Sequence, residues 1–351
     1  MLEDLGGWAG VLGRLMAGDS LEANEAGAAL SDILAGNATP AQVAAFVACL
    51  RLRGETVEEL AGLVGAMLAY AEPVPVPPAL AGRLVDTCGT GGDRSHTVNV
   101  STIAAFIVAG AGAPVCKHGG RAASSASGSA DVLEALGVAV DLGPAGVVRC
   151  VQEVGMGFCF APRFHPAMRH ATPVRRELGV ATVFNFLGPL ANPARARRQV
   201  VGVSDPSMAD KMLGVLAANG ATRAMVVWGH DGLDELSTTG VSVALSLGPE
   251  GGIARLEVDP GRLGLAPARL GDLVGGSATA NAAAVRRVLA GESGPHRDIA
   301  ALNAAAGLVV AGLAPDLAAG LELAGAAIDG GGAAGVLDGL VRVSQEEAAK
   351  G

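Results

Sequence analysis

The segment Asp86-Thr87-Cys88-Gly89-Thr90-Gly91-Gly92-Asp93 constrains this chain more than any other. A strand candidate over residues 83–86 runs straight into glycines at 89, 91 and 92, and a helical pattern over 98–109 begins soon after. Strands that turn into helices are the repeating unit of an α/β sheet. Glycines at such a turn let backbone amides cradle phosphate oxygens, and the next helix N-terminus adds a favourable dipole. Asn99-Val100-Ser101-Thr102 supplies side-chain donors at that helix start. The Gly-Lys-Ser/Thr of a Walker A loop is absent, and so is the Gly-x-Gly-x-x-Gly of a Rossmann turn.

The same rhythm continues along the chain. Residues 114–116, 157–160, 199–203 and 223–228 read as strands, and 131–136 and 206–218 as helices. This βαβα order predicts a mixed or mostly parallel sheet covered by helices. The C-terminal stretches 281–289, 299–312 and 317–326 are again helical. At the N-terminus, Thr39-Pro40 is a helix start with proline at the first helical position, and Thr56-Val57-Glu58-Glu59 is a capping box. Pro73-Val74-Pro75-Val76-Pro77-Pro78 then stops helix formation and is the linker candidate. The chain thus divides into a helical domain over 1–75 and a larger α/β domain over 79–351.

Composition narrows the function classes. Hydrophobic residues make up 50% of the chain but aromatic ones only 3%, so the core must be built from Ala, Val and Leu. The net charge of −9, without a basic run, argues against a nucleic-acid partner. Five cysteines without metal-ligand spacing point to reduced thiols and the cytoplasm. Glu3 and Asp4 replace the basic start of a signal peptide, and the apolar stretches 103–116 and 304–314 are too short or interrupted for a bilayer. A soluble protein with no membrane partner is expected.

Three further segments carry chemistry. Lys117-His118-Gly119-Gly120-Arg121, followed by Ser124, Ser125, Ser127 and Ser129, reads as a second anion cradle on a strand-to-helix loop. In Arg175-Arg176-Glu177, one arginine is expected to pair with Glu177, and the other is then free to take a substrate carboxylate in a bidentate fork. Asp231, Asp234 and Glu235 follow the strand at 223–228. Alone they read as a solvated acidic turn; beside a diphosphate they suit Mg²⁺, which takes one or two carboxylates and keeps several waters.

Taken in order, these segments resemble the anthranilate phosphoribosyltransferases over nearly the whole chain. The resemblance runs through Gly89-Thr90-Gly91-Gly92-Asp93, Thr97-x-Asn99-x-Ser101-Thr102, Lys117-His118-Gly119 and Gly128-Ser129-Ala130-Asp131. It continues in Phe184-Asn185-Phe186-Leu187-Gly188-Pro189-Leu190-x-Asn192-Pro193 and Asp231-Gly232-Leu233-Asp234-Glu235. It implies a nucleoside phosphorylase/phosphoribosyltransferase-like fold, a helical contribution from about 165–190 to the small domain, a hinge near 73–78 with the site in its cleft, and a homodimer. It implies that Gly89, Gly92, Asp93, Thr97, Asn99, Val100, Ser101, Thr102, Lys117, Gly119, Gly120, Arg121, Ser124, Ser125 and Ser129 hold phosphoribosyl pyrophosphate (PRPP). Ser101, Asp234 and Glu235 would hold Mg²⁺. Gly89, His118, Gly120, His165 and Arg175 would seat anthranilate, with Arg175 on its carboxylate. Lys117, Asp234 and Glu235 would carry catalysis, because charge on the leaving pyrophosphate must be neutralised while an arylamine is already neutral at pH 7.

The chain departs from the family pattern Lys-His-Gly-Asn-Arg, having Gly120 where the asparagine belongs. A relative acting on a different aromatic acceptor is therefore the competing expectation. A non-catalytic nucleic-acid-binding relative is disfavoured by the acidic charge. Ala181 also stands where many members carry arginine, a looser position from which nothing follows.

Overall fold

A computed structural model describes residues 2–93, 95–122 and 126–350. After a 3₁₀ turn at Leu2–Leu5 come four helices, Gly7–Met16, Ala23–Leu34, Pro40–Arg53 and Val57–Ala69. Both predicted capping sequences act as caps. The Gln42 amide donates to the Thr39 hydroxyl at 3.3 Å, and the Thr39 amide donates to the Gln42 side chain at 2.8 Å. Thr56 and Glu59 make the same exchange. Each bond satisfies an amide that a helix start otherwise leaves without a partner.

The remainder is built on seven strands: β1 (Val85–Gly89), β2 (Val115–Gly119), β3 (Met156–Phe160), β4 (Arg198–Gly202), β5 (Arg223–Gly229), β6 (Ser242–Leu247) and β7 (Ile253–Val258). Their order is β3-β2-β1-β4-β5-β6-β7. The first five run parallel, and β6 and β7 are antiparallel additions. The expected mixed, mostly parallel sheet is present, with the β6–β7 hairpin an element not anticipated. From β1 the chain fills one side with β2 and β3, then crosses to β4 and β5. The order therefore reverses at β1, and open sheets bind ligands in the crevice at such a reversal, outside the strand carboxyl ends.

Side chains alternate along each central strand and feed two cores. Val200, Met225 and Val227 join one with the helices Val100–Gly110 and Pro295–Ala311. Val201, Val226 and Trp228 join the other with the N-terminal helices. A sheet buried on both faces reads as continuous apolar runs, as Met225-Val226-Val227-Trp228 does. Two short helices, Thr172–Leu178 and Phe184–Leu190, pack against Pro40–Arg53 and Val57–Ala69 respectively.

The strand ends differ from expectation in one way that matters. β1 runs on past Asp86, where its strand candidate ended, to Gly89, and β2 continues to Gly119, so Lys117 and His118 lie within a strand rather than on the loop after it. Pairing explains this for β2, whose ladder with β3 continues through Gly119↔Phe160. The helix predicted at 206–218 starts as a 3₁₀ turn, Pro206–Met208, before Ala209–Ala218. Helices Pro144–Val154 and Gly332–Ala348 were not anticipated. Among the described residues, no helix is long and apolar enough to cross a membrane.

Candidate active site

At the carboxyl ends of β1 and β2 lies a polar cleft of about 300 Å³. Its walls include Gly89, Gly92, Asp93, Thr97, Asn99, Val100, Ser101, Thr102, Lys117, His118, Gly119, Gly120, Arg121, Ser129, Asp234 and Glu235. Ser124 and Ser125 lie outside the described residues. The cleft also has Asn185 in its wall, which sequence reasoning quoted only as part of a motif.

Glycine makes the close approaches possible. Gly89 and Gly202 face each other across β1 and β4, and the segment at Asp234 lies directly on both. Any side chain at Gly202 would overlap the Asp234 carbonyl, and one at Gly89 would overlap its carboxylate. The carboxylate is fixed in that groove by the Gly91 amide, which donates to Oδ2 at 2.7 Å. Glu235 accepts from the Ser101 amide at 3.2 Å, in the first turn of the helix Val100–Gly110.

Lys117 is buried at 2% exposure, and its ammonium donates to the Thr87 carbonyl and, at 3.2 Å, to the Ser101 hydroxyl. Beneath it, Asp86 accepts from the His118 amide at 3.1 Å and from Asn192 Nδ2 at 2.8 Å. Asn192 also donates to the Cys116 carbonyl at 2.8 Å, locking β1, β2 and the 190s segment together.

The acids are held at an electrostatic cost. Burial, and then the neighbouring Asp93, push the Asp234 carboxyl up to about 6. Burial and Asp234 raise Glu235 well above the usual carboxylate range. Like charges that raise one another in this way are relieved by a cation. Among the described residues, no group of three or more His, Cys, Asp or Glu encloses an ion by itself. Asp234, Glu235 and Ser101 line the same cleft, and hard oxygens of this kind are those that suit Mg²⁺ when water and phosphate oxygens complete the set.

A second cavity, about 720 Å³, adjoins the first, and His118, Gly120 and Arg121 line both. Met67, Pro162, His165, Met168, Arg175 and Phe184 complete much of its wall. Arg175 stacks 5.3 Å over the Phe184 ring, and burial lowers its pKa. The expected pairing of one arginine with Glu177 is not found among the described ion pairs, because neighbours in sequence point to different faces of a helix. Arg175 thus faces the cavity without a carboxylate. Arg121 differs: Asp131 holds its guanidinium at 2.9 Å and Glu134 at 2.5 Å. The His118 and His165 rings meet at a tilt of 51°, with centroids 5.0 Å apart. Burial, and then His165, lower His118 to about 3. Its Nδ1 lies 3.2 Å from the Gly188 carbonyl, while Nε2 has no partner.

The helical bundle domain of a glycosyl transferase family matches residues 9–71, and the a/b domain of the same family matches 81–334. The anthranilate phosphoribosyltransferase of Roseiflexus castenholzii is 51% identical over 332 residues, covering 94% of this chain and 96% of its own length. This chain belongs to the anthranilate phosphoribosyltransferase family. A second member, from a Nocardioides species, is 54% identical over 94% of this chain and 97% of its own. The crystal structure of the family member from Thermus thermophilus superposes with a TM-score of 0.90 at 42% identity, covering 95% of this chain and 99% of that one. The Saccharomyces cerevisiae family member in complex with PRPP and Mg gives a TM-score of 0.87 at 26% identity, over 97% and 98% of the two chains.

Proposed function

We propose that this protein transfers the 5-phosphoribosyl group of PRPP to the amine of anthranilate, releasing pyrophosphate, in a Mg²⁺-dependent step of tryptophan biosynthesis. The observation that carries this reading is the meeting of two unlike cavities at His118 and Gly120. One offers glycine-loop amides, a buried lysine and two carboxylates; the other offers apolar walls and Arg169, Arg175 and Arg176, none paired with a carboxylate among the described ion pairs. The names of the family members, and the PRPP and Mg bound by the yeast protein, support it.

In the reaction the bond from the ribosyl carbon to pyrophosphate breaks, and its electron pair leaves with the diphosphate. The amine lone pair forms the new carbon–nitrogen bond on the opposite face, and the nitrogen then loses a proton to water. PRPP lies in the smaller cleft, with Gly89, Gly92, Asp93, Thr97, Asn99 and Val100 around its phosphates. Ser101, Thr102, Lys117, Gly119, Gly120, Arg121 and Ser129 complete that set. Lys117, anchored by Thr87 and Ser101, keeps a fixed positive charge beside the leaving group. Ser101, Asp234 and Glu235 would hold Mg²⁺, which would supply further neutralisation of diphosphate charge. Arg175 takes the anthranilate carboxylate, and His118, His165, Gly89 and Gly120 bound the ring. Positioning and charge neutralisation, rather than a strong base, lower the barrier.

By the same family reading, the protein is a cytoplasmic homodimer hinged near residues 73–78, with 1–75 and 79–351 as its domains. Light scattering on the eluted peak tests the assembly. The relatives give no support to a different aromatic acceptor or to nucleic-acid binding. The deciding experiment is a product assay of purified protein with PRPP, Mg²⁺ and a panel of aromatic acids with and without the ring amine. Anthranilate is expected to release pyrophosphate and form the N-ribosylated product. Turnover of another acid with none of anthranilate overturns the proposal.

A further inference from the structure

Asn281 lies behind the cleft, in the first turn of the helix Ala278–Leu289, and is 3% exposed. It is not part of the cleft wall. Its amide nevertheless meets three partners from separate parts of the chain. Nδ2 donates to Asn99 Oδ1 at 2.7 Å and to Ser127 Oγ at 2.9 Å, and Oδ1 accepts from the Gly276 amide at 2.7 Å. Asn99 stands at the N-cap of the helix Val100–Gly110 yet makes no side-chain cap bond. Its amide is used elsewhere: Nδ2 donates to the Ser127 carbonyl at 3.1 Å. Asn281 therefore fixes which way the Asn99 amide faces and where the loop after β2 ends.

The segment before Asn281 holds the neighbouring stretch of the cradle. The Val98 amide donates to the Leu273 carbonyl at 2.9 Å, the Gly275 amide to the His96 carbonyl at 2.8 Å, and Thr97 bridges Val274. His96 has φ 55, a left-handed conformation costly for a residue with a side chain. Such strain persists where the surroundings over-determine it. Gly275 shows how tight the fit is: an added Cβ would stand 2.5 Å from Asn281 Oδ1 and 2.9 Å from the Thr97 carbonyl.

A buried amide is a costly way to fill a core, because each polar atom must find a partner. Here all three bonds reach segments that line the cleft or brace it. We propose that Asn281 is a positioning residue for the transfer reaction, a clasp that sets Asn99 and the Ser127 end of the loop so that the diphosphate cradle is formed before PRPP enters. This rests on the assignment of the smaller cleft to PRPP. Preformed donors reduce the ordering cost that the ligand must otherwise meet.

Asn281→Ala and Asn281→Asp test it; the aspartate keeps the Gly276 bond and loses both donated ones. Mg²⁺-PRPP titration and initial rates are measured together with thermal melting. The expected result in both variants is a PRPP KM and Kd raised about 10- to 100-fold, with the anthranilate KM at saturating PRPP within about twofold. A merely structural role lowers the melting temperature and the active fraction but leaves the PRPP KM in place, and that outcome overturns the clasp. If neither variant folds, Ser127→Ala removes one arm and is expected to raise the PRPP KM about 3- to 10-fold; an unchanged value overturns the proposal. The wild-type titration separates two failures. No PRPP binding by the wild type overturns the cleft assignment and the clasp with it, whereas binding that Asn281→Ala preserves overturns the clasp alone.

Discussion

The two cavities are built by different means. The smaller, polar one is walled mainly by short runs, 88–93, 96–102, 117–122, 127–129 and 234–235, at or after the carboxyl ends of strands, with Asn185 added from the helix Phe184–Leu190. The larger one is lined mostly by side chains of the stretch 161–176, folded into short helical turns, and closed by Met67 from the helical part and Phe184 from another short helix. Backbone amides and glycines make the first, and tertiary packing makes the second. A phosphate site built from loops tolerates few changes, because the main chain itself is the ligand. An acceptor chamber built from side chains is tunable one residue at a time.

Removing charge from the polar cavity is the severest way to probe that contrast. Asp234→Asn combined with Glu235→Gln should abolish turnover, a loss of at least about 10²- to 10³-fold in kcat, with the circular dichroism spectrum unchanged. Full activity of the double variant at low Mg²⁺ would show that the acids are not metal ligands.

In the acceptor chamber the largest single effect is expected at Arg175. Arg175→Ala loses a charge-assisted pair worth about 1.5–3 kcal/mol, so the anthranilate KM should rise roughly 10- to 150-fold. PRPP affinity should stay nearly constant, since Arg175 lines only the larger cavity. An equal loss of PRPP affinity would break the division of labour between the cavities.

His118 sits at their junction and reports on pH. Burial holds its folded pKa near 3 against an ordinary value of 6.5. The unfolded chain therefore binds an extra proton between those values, and stability present above pH 6.5 is lost as pH falls through that window. The loss is about 1.4 kcal/mol per pH unit for one such group. His118→Gln should flatten the decline in melting temperature between pH 6.5 and 4.5. His165, also lowered by burial, keeps part of the slope. An unaltered slope in the variant would mean that His118 is protonated in the folded state.

The legibility of the molecule follows the same divide. The phosphate cradle could be read because each of its parts is contiguous: glycines, an Asn-x-Ser-Thr helix start and a Lys-His-Gly run. Asn281 could not be, because its partners Asn99 and Ser127 lie 182 and 154 residues away and a lone asparagine in a helical pattern carries no signal. The β6–β7 hairpin did offer a signal, apolar alternation at Val243, Leu245 and Leu247 and at Leu256 and Val258, that was passed over; β7 is an exposed edge. Gly332–Ala348 was missed because glycines at 332, 335 and 339 weaken a helical pattern that packing restores; Gly339 sits against Val154. Pro144–Val154 did offer a signal, proline at the first helical position after Gly143, that the strand-centred reading passed over.

The smallest expected effect tests how tunable the acceptor chamber is. Gly120 lines both cavities, and it is the position where the resemblance leads us to expect asparagine. The structure has room for it: a Cβ on Gly120 would meet only the Ala161 Cβ, at 3.8 Å. Gly120 is also absent from the left-handed positions, so a side chain brings no backbone strain. An asparagine amide offers donors and an acceptor to the ring substituents, where glycine offers only backbone and open volume. Gly120→Asn should therefore tighten anthranilate by one hydrogen bond, about 0.5–1.5 kcal/mol or up to about tenfold in KM. It should also narrow the acceptor range, because a pocket discriminates poorly against groups it has room for. The measurement is kcat/KM for anthranilate and its ring-substituted analogues in both proteins, with the PRPP KM as control. Tighter anthranilate with an unchanged PRPP KM would place a side chain at position 120 in the acceptor chamber. A shift in the PRPP KM alone would move position 120 to the phosphate side of the junction, and the boundary between the two cavities with it.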